Sequence, residues 1–101
     1  MEFMWDENKR KINLDKHKID FEDVKEAFNN FIYEIPDNRF DYSEDRIIGI
    51  VPLRNILITI VFTEPKENII RLISARKSTS KEKRLYEKEW ENRLENPRKN
   101  E

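Results

Sequence analysis

Four side chains in this sequence are best suited to chemistry on a phosphate: Arg46, Arg71, Arg76 and His17. A guanidinium is planar, stays charged and donates two parallel hydrogen bonds, so it clamps a phosphate and the charge that builds on it during cleavage. His17 is the one side chain whose ordinary pKa suits proton transfer near neutrality. Arg71 and Arg76 lie in the apolar run Ile69 to Lys77, which breaks at Ser78-Thr79-Ser80 and resumes as Lys81-Glu82-Lys83-Arg84. Between residues 71 and 84, six Lys or Arg stand against one acid, Glu82. A strand that delivers basic side chains to the mouth of a basic helix suits a polyanion. Arg71, Lys77, Lys81 and Arg84 are the expected backbone-tracking cations, with Arg46 and Arg76 at the reacting group. Tyr86, Glu44 and Lys16 are secondary acid–base candidates.

Side-chain alternation constrains this site. Arg71 and Arg76 are five positions apart and face opposite sides of a regular strand. Either the strand ends or bulges near Ala75, or only one of the two reaches the site, in which case Arg76 with Arg46 is the favoured pair.

Composition limits the setting. The chain has 101 residues, 37% apolar and 41% charged, which is one domain with a thin core. Residues 1–50 carry a formal charge of -5 and residues 51–101 of +4, so one face suits a polyanion and another a basic partner. Without cysteine there is no disulfide, thiolate zinc site or thiol nucleophile, and a single His excludes a His-rich metal site. No cofactor or metal is expected. The longest apolar stretch, Ile56 to Phe62, is too short to span a bilayer, and the first residues do not read as a signal peptide. The expectation is a soluble cytoplasmic protein.

The elements that must position these residues can be read from pattern. Phe3-Met4-Trp5 suggests a short strand and Asp6 an N-cap for a helix over Glu7 to His17, whose apolar residues are Ile12 and Leu14. Asp20 caps a second helix, with Phe21, Val24, Ala27, Phe28 and Phe31 at helical spacing. Pro36-Asp37-Asn38 marks a turn and Asp41 to Asp45 a polar loop. Strands are expected over Arg46 to Val51, Ile56 to Thr63 and Ile69 to Ala75, joined at Pro52–Asn55 and Glu64–Asn68 as an antiparallel meander. Thr79 and Glu82 fit a capping box for a last helix with a stripe of Tyr86, Trp90 and Leu94. Asn96-Pro97 ends it, leaving residues 1–96 as the domain and 97–101 as a frayed tail. The fold class is α+β, a small antiparallel sheet packed with N-terminal helices and a C-terminal helix. The lone glycine, Gly49, excludes a Gly-rich phosphate loop.

Several blocks together resemble the BrnT family of bacterial toxins. Trp5-Asp6-x-x-Lys9, Asn13-x-x-Lys16-His17, Phe21 and Phe28 are similar to its opening. Arg46-x-x-Gly49-Ile50 and Val61-x-Thr63 are similar to its middle, and Ile70 to Arg76 with Glu82 and Tyr86 to its end. The chain departs from the pattern at Lys18, where the family usually has Gly, and at Ser78, where it usually has Ala. The first departure changes how the preceding helix can stop.

The resemblance implies a RelE-like fold and a ribonuclease toxin of a type II toxin–antitoxin system, inhibiting translation and growth. It also implies neutralisation by a BrnA-like antitoxin that contacts DNA. Cleavage without a metal would use the ribose 2′-OH as nucleophile and would need a base, an acid and cations for the phosphorane. Arg46, Arg76 and His17 are the catalytic candidates that the resemblance strengthens. The plainer readings are a helix-capping His17, structural ion pairs at Arg46 and Arg71, a solvated face at Lys81 to Arg84, and core packing of Tyr86 and Trp90. The alternative function is a binding module for nucleic acid or antitoxin that keeps the toxin fold without cleavage.

Overall fold

The computed structural model describes residues 1–95. The elements run β1 (Glu2–Met4), α1 (Glu7–His17), α2 (Phe21–Ala27), β2 (Tyr33–Pro36), β3 (Ile47–Leu53), β4 (Ile56–Lys66), β5 (Ile69–Lys77) and α3 (Ser80–Glu95). The strands form one sheet in the order β1-β5-β4-β3-β2. From β2 to β5 each strand pairs antiparallel with the next, as a meander requires. β1 adds to the free side of β5 in parallel, with Phe3 opposite Ile70, so the whole sheet is mixed.

Alternation sorts the side chains. Val51, Leu53, Ile58, Ile60, Phe62, Ile70, Leu72 and Ala75 point to one face and pack on Ile19, Phe21, Val24 and Ala27 of α2 and its approach. Phe28 is wedged edge-on between Phe3 and Phe62, at 5.1 and 5.3 Å. Trp5 rests edge-on against Phe21 at 6.0 Å, which gives it a packing role. Gly49 belongs to this face. A Cβ there would lie 2.8 Å from Ile32 Cγ2 and 3.2 Å from both Ile60 and Phe62, so close approach is the reason for the glycine. The opposite, outer face carries Thr59, Val61 and Thr63 of β4 and is partly covered by α3.

Several boundaries differ from expectation. α2 stops at Ala27, and Phe31 instead stacks on Tyr86 of α3 at 5.7 Å. Tyr33–Pro36 is a strand, where only a turn at Pro36 was expected, and Pro36 fits because β2 is a sheet edge. β3 starts after Arg46 and runs to Leu53, leaving Arg54-Asn55 as a two-residue turn with Arg54 at φ 57°. In α1 both Ile12 and Leu14 are exposed, and the buried residue is Asn13. Helix amphipathicity therefore does not seat α1; polar contacts do. Tyr86 is buried as expected, but Trp90 is 44% and Leu94 68% exposed, so the lower half of the α3 stripe is not core. The helix end at Asn96-Pro97 and the tail 97–101 lie outside the described residues.

Candidate ribonuclease site

The outer face of the sheet gathers the arginines. In the β4–β5 ladder Thr63 pairs with Arg71, Phe62 with Leu72, Val61 with Ser74 and Thr59 with Arg76. Ile73 is the extra residue, a β-bulge opposite the Val61–Phe62 step. The bulge resets alternation, so Leu72 and Ala75 both enter the core while Arg71 and Arg76 share the outer face. Arg46 follows in line, one position before the Ile47–Phe62 pair, and so faces the same way. Thr63 and Thr59 are four residues apart on β4, which separates the Arg46–Arg71 end of this face from Arg76 by roughly 13 Å along the strand.

The segment between β2 and β3 folds back over this face. The backbone N–H of Asp37 donates to the Arg46 carbonyl at 2.9 Å, closing an eight-residue loop, 38–45. Glu44 Oε1 in that loop accepts from Arg46 Nε at 3.2 Å and from Arg71 at 2.9 Å, and so reaches across β4 to β5. The Arg46 guanidinium lies over the Tyr42 ring at 3.9 Å. The Ser43 hydroxyl, then Arg46 and Arg71, hold the Glu44 carboxyl below its ordinary pKa. Thr63 Oγ1 on the same row is buried and has no hydrogen-bond partner among the described residues.

Arg76 is held differently. Its two terminal nitrogens grip Glu82 in a fork, at 2.8 and 2.9 Å. Glu82 in turn accepts from the Thr79 N–H at 2.8 Å while Thr79 Oγ1 accepts from the Glu82 N–H at 3.2 Å, the capping box expected for α3. Arg76, with the backbone bond, pushes the Glu82 carboxyl down to about 2. Thr59 Oγ1 and Ser78 Oγ meet at 2.8 Å beneath it. Arg39, forked onto the buried Asp37 at 2.8 and 2.9 Å, lies close enough for its charge to act against that of Arg76. The pattern of Asp37, two residues before Arg39, gave no signal of this in the sequence.

His17 is placed elsewhere. Asn13 sits against the β5 edge that β1 leaves uncovered, accepting the Ala75 N–H and donating to the carbonyls of Ala75 and Ile19. His17 is four residues on, one turn along the same helix face. It is half-buried near the end of β5, and no hydrogen bond or ion pair ties it to the arginines among the described residues. Lys77, Lys81 and Arg84 are exposed and make no ion pair among the described residues, with Lys81 and Arg84 three apart on α3. Of the secondary candidates, Tyr86 donates to the Phe31 carbonyl at 3.0 Å and burial pushes its phenol up, which suits packing. Lys16 is exposed.

A row of arginines on a small sheet, flanked by Lys81, Lys83 and Arg84 in the first turns of α3, is the geometry of a phosphate-handling surface. A family model described as the ribonuclease toxin BrnT of type II toxin–antitoxin systems matches residues 5–82, which takes in Trp5, the arginine row and Glu82. The chain belongs to the BrnT family. The 1.1 Å crystal structure of the Brucella abortus ribonuclease toxin BrnT is similar to it, with 29% sequence identity over 79% of this chain and 99% of that one, at a TM-score of 0.63. No curated protein matches the chain. Membership of the BrnT family makes this a ribonuclease toxin, and a type II system implies an antitoxin protein as partner. No helix among the described residues is long and apolar enough to cross a membrane.

Proposed function

We propose that this BrnT-family toxin cleaves RNA by in-line attack of a ribose 2′-OH on the adjacent phosphate, with the outer-face arginines carrying the charge of the phosphorane. The bond from phosphorus to the 5′-oxygen breaks, leaving a 2′,3′-cyclic phosphate and a 5′-hydroxyl. Arg46 and Arg76, at opposite ends of the row, are the two candidates for the transition-state charge, and Arg71, Lys77, Lys81 and Arg84 hold the flanking backbone. The observation that carries this reading is the Ile73 bulge, which puts Arg71 and Arg76 on one face with Arg46. The reaction is metal-independent in this reading, because guanidinium groups supply the charge.

Two groups can move the proton. His17, one helical turn beyond Asn13, is the imidazole candidate, and Glu44 stands within the row. A carboxylate already held below its ordinary pKa, as Glu44 is, gives a rate that stays flat through neutral pH. The toxin acts in the cytoplasm, inhibits translation and growth through RNA loss, and is neutralised by a BrnA-like antitoxin that carries the DNA contacts.

Induced expression of the full chain in a bacterial host tests this, with growth and total RNA followed together. Growth arrest with RNA loss, relieved by Arg76→Ala in a folded variant, supports cleavage, and persistence of cleavage by purified protein in EDTA supports its metal independence. A second reading, a binding module without cleavage, is favoured by the carboxylate already paired to each of Arg46, Arg71 and Arg76. Intact RNA and normal growth with a soluble, folded chain would select it.

A further inference from the structure

Beside the arginine row the 38–45 loop leaves an open cleft of about 640 Å³, within the span of small-molecule pockets. Ile35 and Ile47 form part of its wall, Phe40 and Tyr42 bring two aromatic rings, and Asp41 and Asp45 add carboxylates. Phe40 is 70% exposed and touches Tyr42 only edge to face, at 5.9 Å and 76°. Asp41 and Asp45 have no hydrogen-bond or ion-pair partner among the described residues. Arg46 lines the cleft and also belongs to the arginine row.

These properties sort what can enter. Free carboxylates repel a phosphate, so the cleft does not extend the backbone track. They accept N–H donors, and an exposed aromatic ring offers a stacking surface to any base. Among the four RNA bases, guanine presents two adjacent donors, N1–H and N2–H, that match the two oxygens of one carboxylate. Adenine and cytosine offer an amino group next to an acceptor. Uracil offers one N–H between two carbonyls that a carboxylate repels.

We propose that this cleft is a nucleobase subsite with a preference for guanine, stacking the base on Phe40 and reading its donor edge with Asp41 or Asp45. The assignment rests on the ribonuclease reading. It adds the base that lies beside the phosphate held by Arg46 and Arg71, and so a source of cleavage specificity.

The test uses the full chain and free nucleosides, which lack phosphate and so bypass the arginines. Guanosine is expected to shift the NMR signals of Phe40, Tyr42 and Asp45, and uridine to leave them in place at the same concentration. Phe40→Ala should weaken guanosine binding about tenfold, the scale of one lost base–aromatic stack. Because Phe40 is exposed, its replacement should leave the melting temperature unchanged. Asp41→Asn with Asp45→Asn should erase the difference between the two nucleosides. Equal responses to guanosine and uridine, or none to either, would overturn the proposal and leave the loop as a candidate antitoxin contact. A chain that binds guanosine selectively but cuts no RNA would keep the subsite and sink the ribonuclease reading. A chain that cuts RNA with no selective nucleoside response would do the reverse.

Discussion

Asn13 treats Ala75 as a neighbouring strand would. Its Oδ1 accepts the Ala75 N–H at 3.0 Å and its Nδ2 donates to the Ala75 carbonyl at 2.9 Å, where the sheet edge would otherwise be open. One carboxamide thus extends the ladder by a peptide's worth of bonding and fixes the backbone one residue before Arg76. Asn13→Ala would leave a buried N–H and carbonyl unpaired, costing about 3 kcal/mol. Urea unfolding measures this. Asn13→Asp should be nearly as harmful, because a carboxylate keeps the acceptor and places charge beside two carbonyls. A loss below about 1 kcal/mol in both would show that the edge is open to water.

The Arg76–Glu82 fork makes stability depend on acid. The Glu82 carboxyl falls from 4.5 to about 2 in the folded protein, so its contribution is complete above about pH 4.5 and disappears as pH drops towards 2. With Arg76 39% exposed, solvent screening reduces that contribution to about 1–2 kcal/mol. Glu82→Gln should cost this much at neutral pH and flatten the acid limb of the stability curve. Asp20 and Asp37 are also held below their ordinary pKa by Arg10 and Arg39, so the difference between variant and parent is the quantity to read.

Lys18 ends α1 in the left-handed conformation, at φ 61° and ψ 26°, with its N–H on the Leu14 carbonyl at 2.9 Å. A side chain is strained there and glycine is not. Lys18→Gly should stabilise the protein by about 0.5–1 kcal/mol, raising Tm by a few degrees in a thermal scan. A fall in Tm would mean that the lysine side chain contributes a contact outweighing the backbone strain.

Gly49→Ala should act in the opposite direction. The added methyl must displace Ile32, Ile60 and Phe62 together in a packed core, a change of about 1–3 kcal/mol. Denaturant midpoints for Gly49→Ala alone and combined with Ile32→Val would separate simple crowding from backbone distortion, since trimming Ile32 should recover part of the loss.

Lys77, Lys81 and Arg84 should act by charge alone. Replacing all three with Gln should lower the slope of log affinity against log salt by about 2 for single-stranded RNA. Fluorescence anisotropy across a salt series measures it. An unchanged slope would place the backbone elsewhere on the surface.

The sequence carried the strands β3 to β5 clearly, because each is a β-branched run bounded by turn residues. It also carried the Thr79–Glu82 box, which is a local signal. β2 was obscured because Tyr33 to Pro36 is short and ends in a proline that only an edge strand tolerates. The parallel partnership of β1 with β5 joins residues 67 positions apart, as in Phe3 and Ile70, and leaves no mark in either segment. At the site, counting five residues from Arg71 to Arg76 left the shared face open, since no residue type announces a bulge at Ile73. Arg39 was hidden, and Glu44 was visible as an acid–base candidate but not as the bridge between Arg46 and Arg71, because an eight-residue loop decides which strand they meet. Asn13 was visible as part of a motif, but its role depends on the uncovered edge of β5.

The arginines of the outer face each already hold an anion, as Glu44 does for Arg46 and Arg71 and Glu82 for Arg76. Capture of a phosphate there is an exchange, in which a carboxylate returns to water as the new ligand takes its place. The free energy of such a swap is a difference between two similar interactions, so an ordinary phosphodiester, with one negative charge, gains little. A phosphorane carries more charge on its oxygens and out-competes the carboxylate by a wider margin. In the proposed mechanism the resident acids would therefore work as a threshold: they would keep a concentrated row of cations from gripping any passing polyanion and reserve its full attraction for the species in which the bond is breaking.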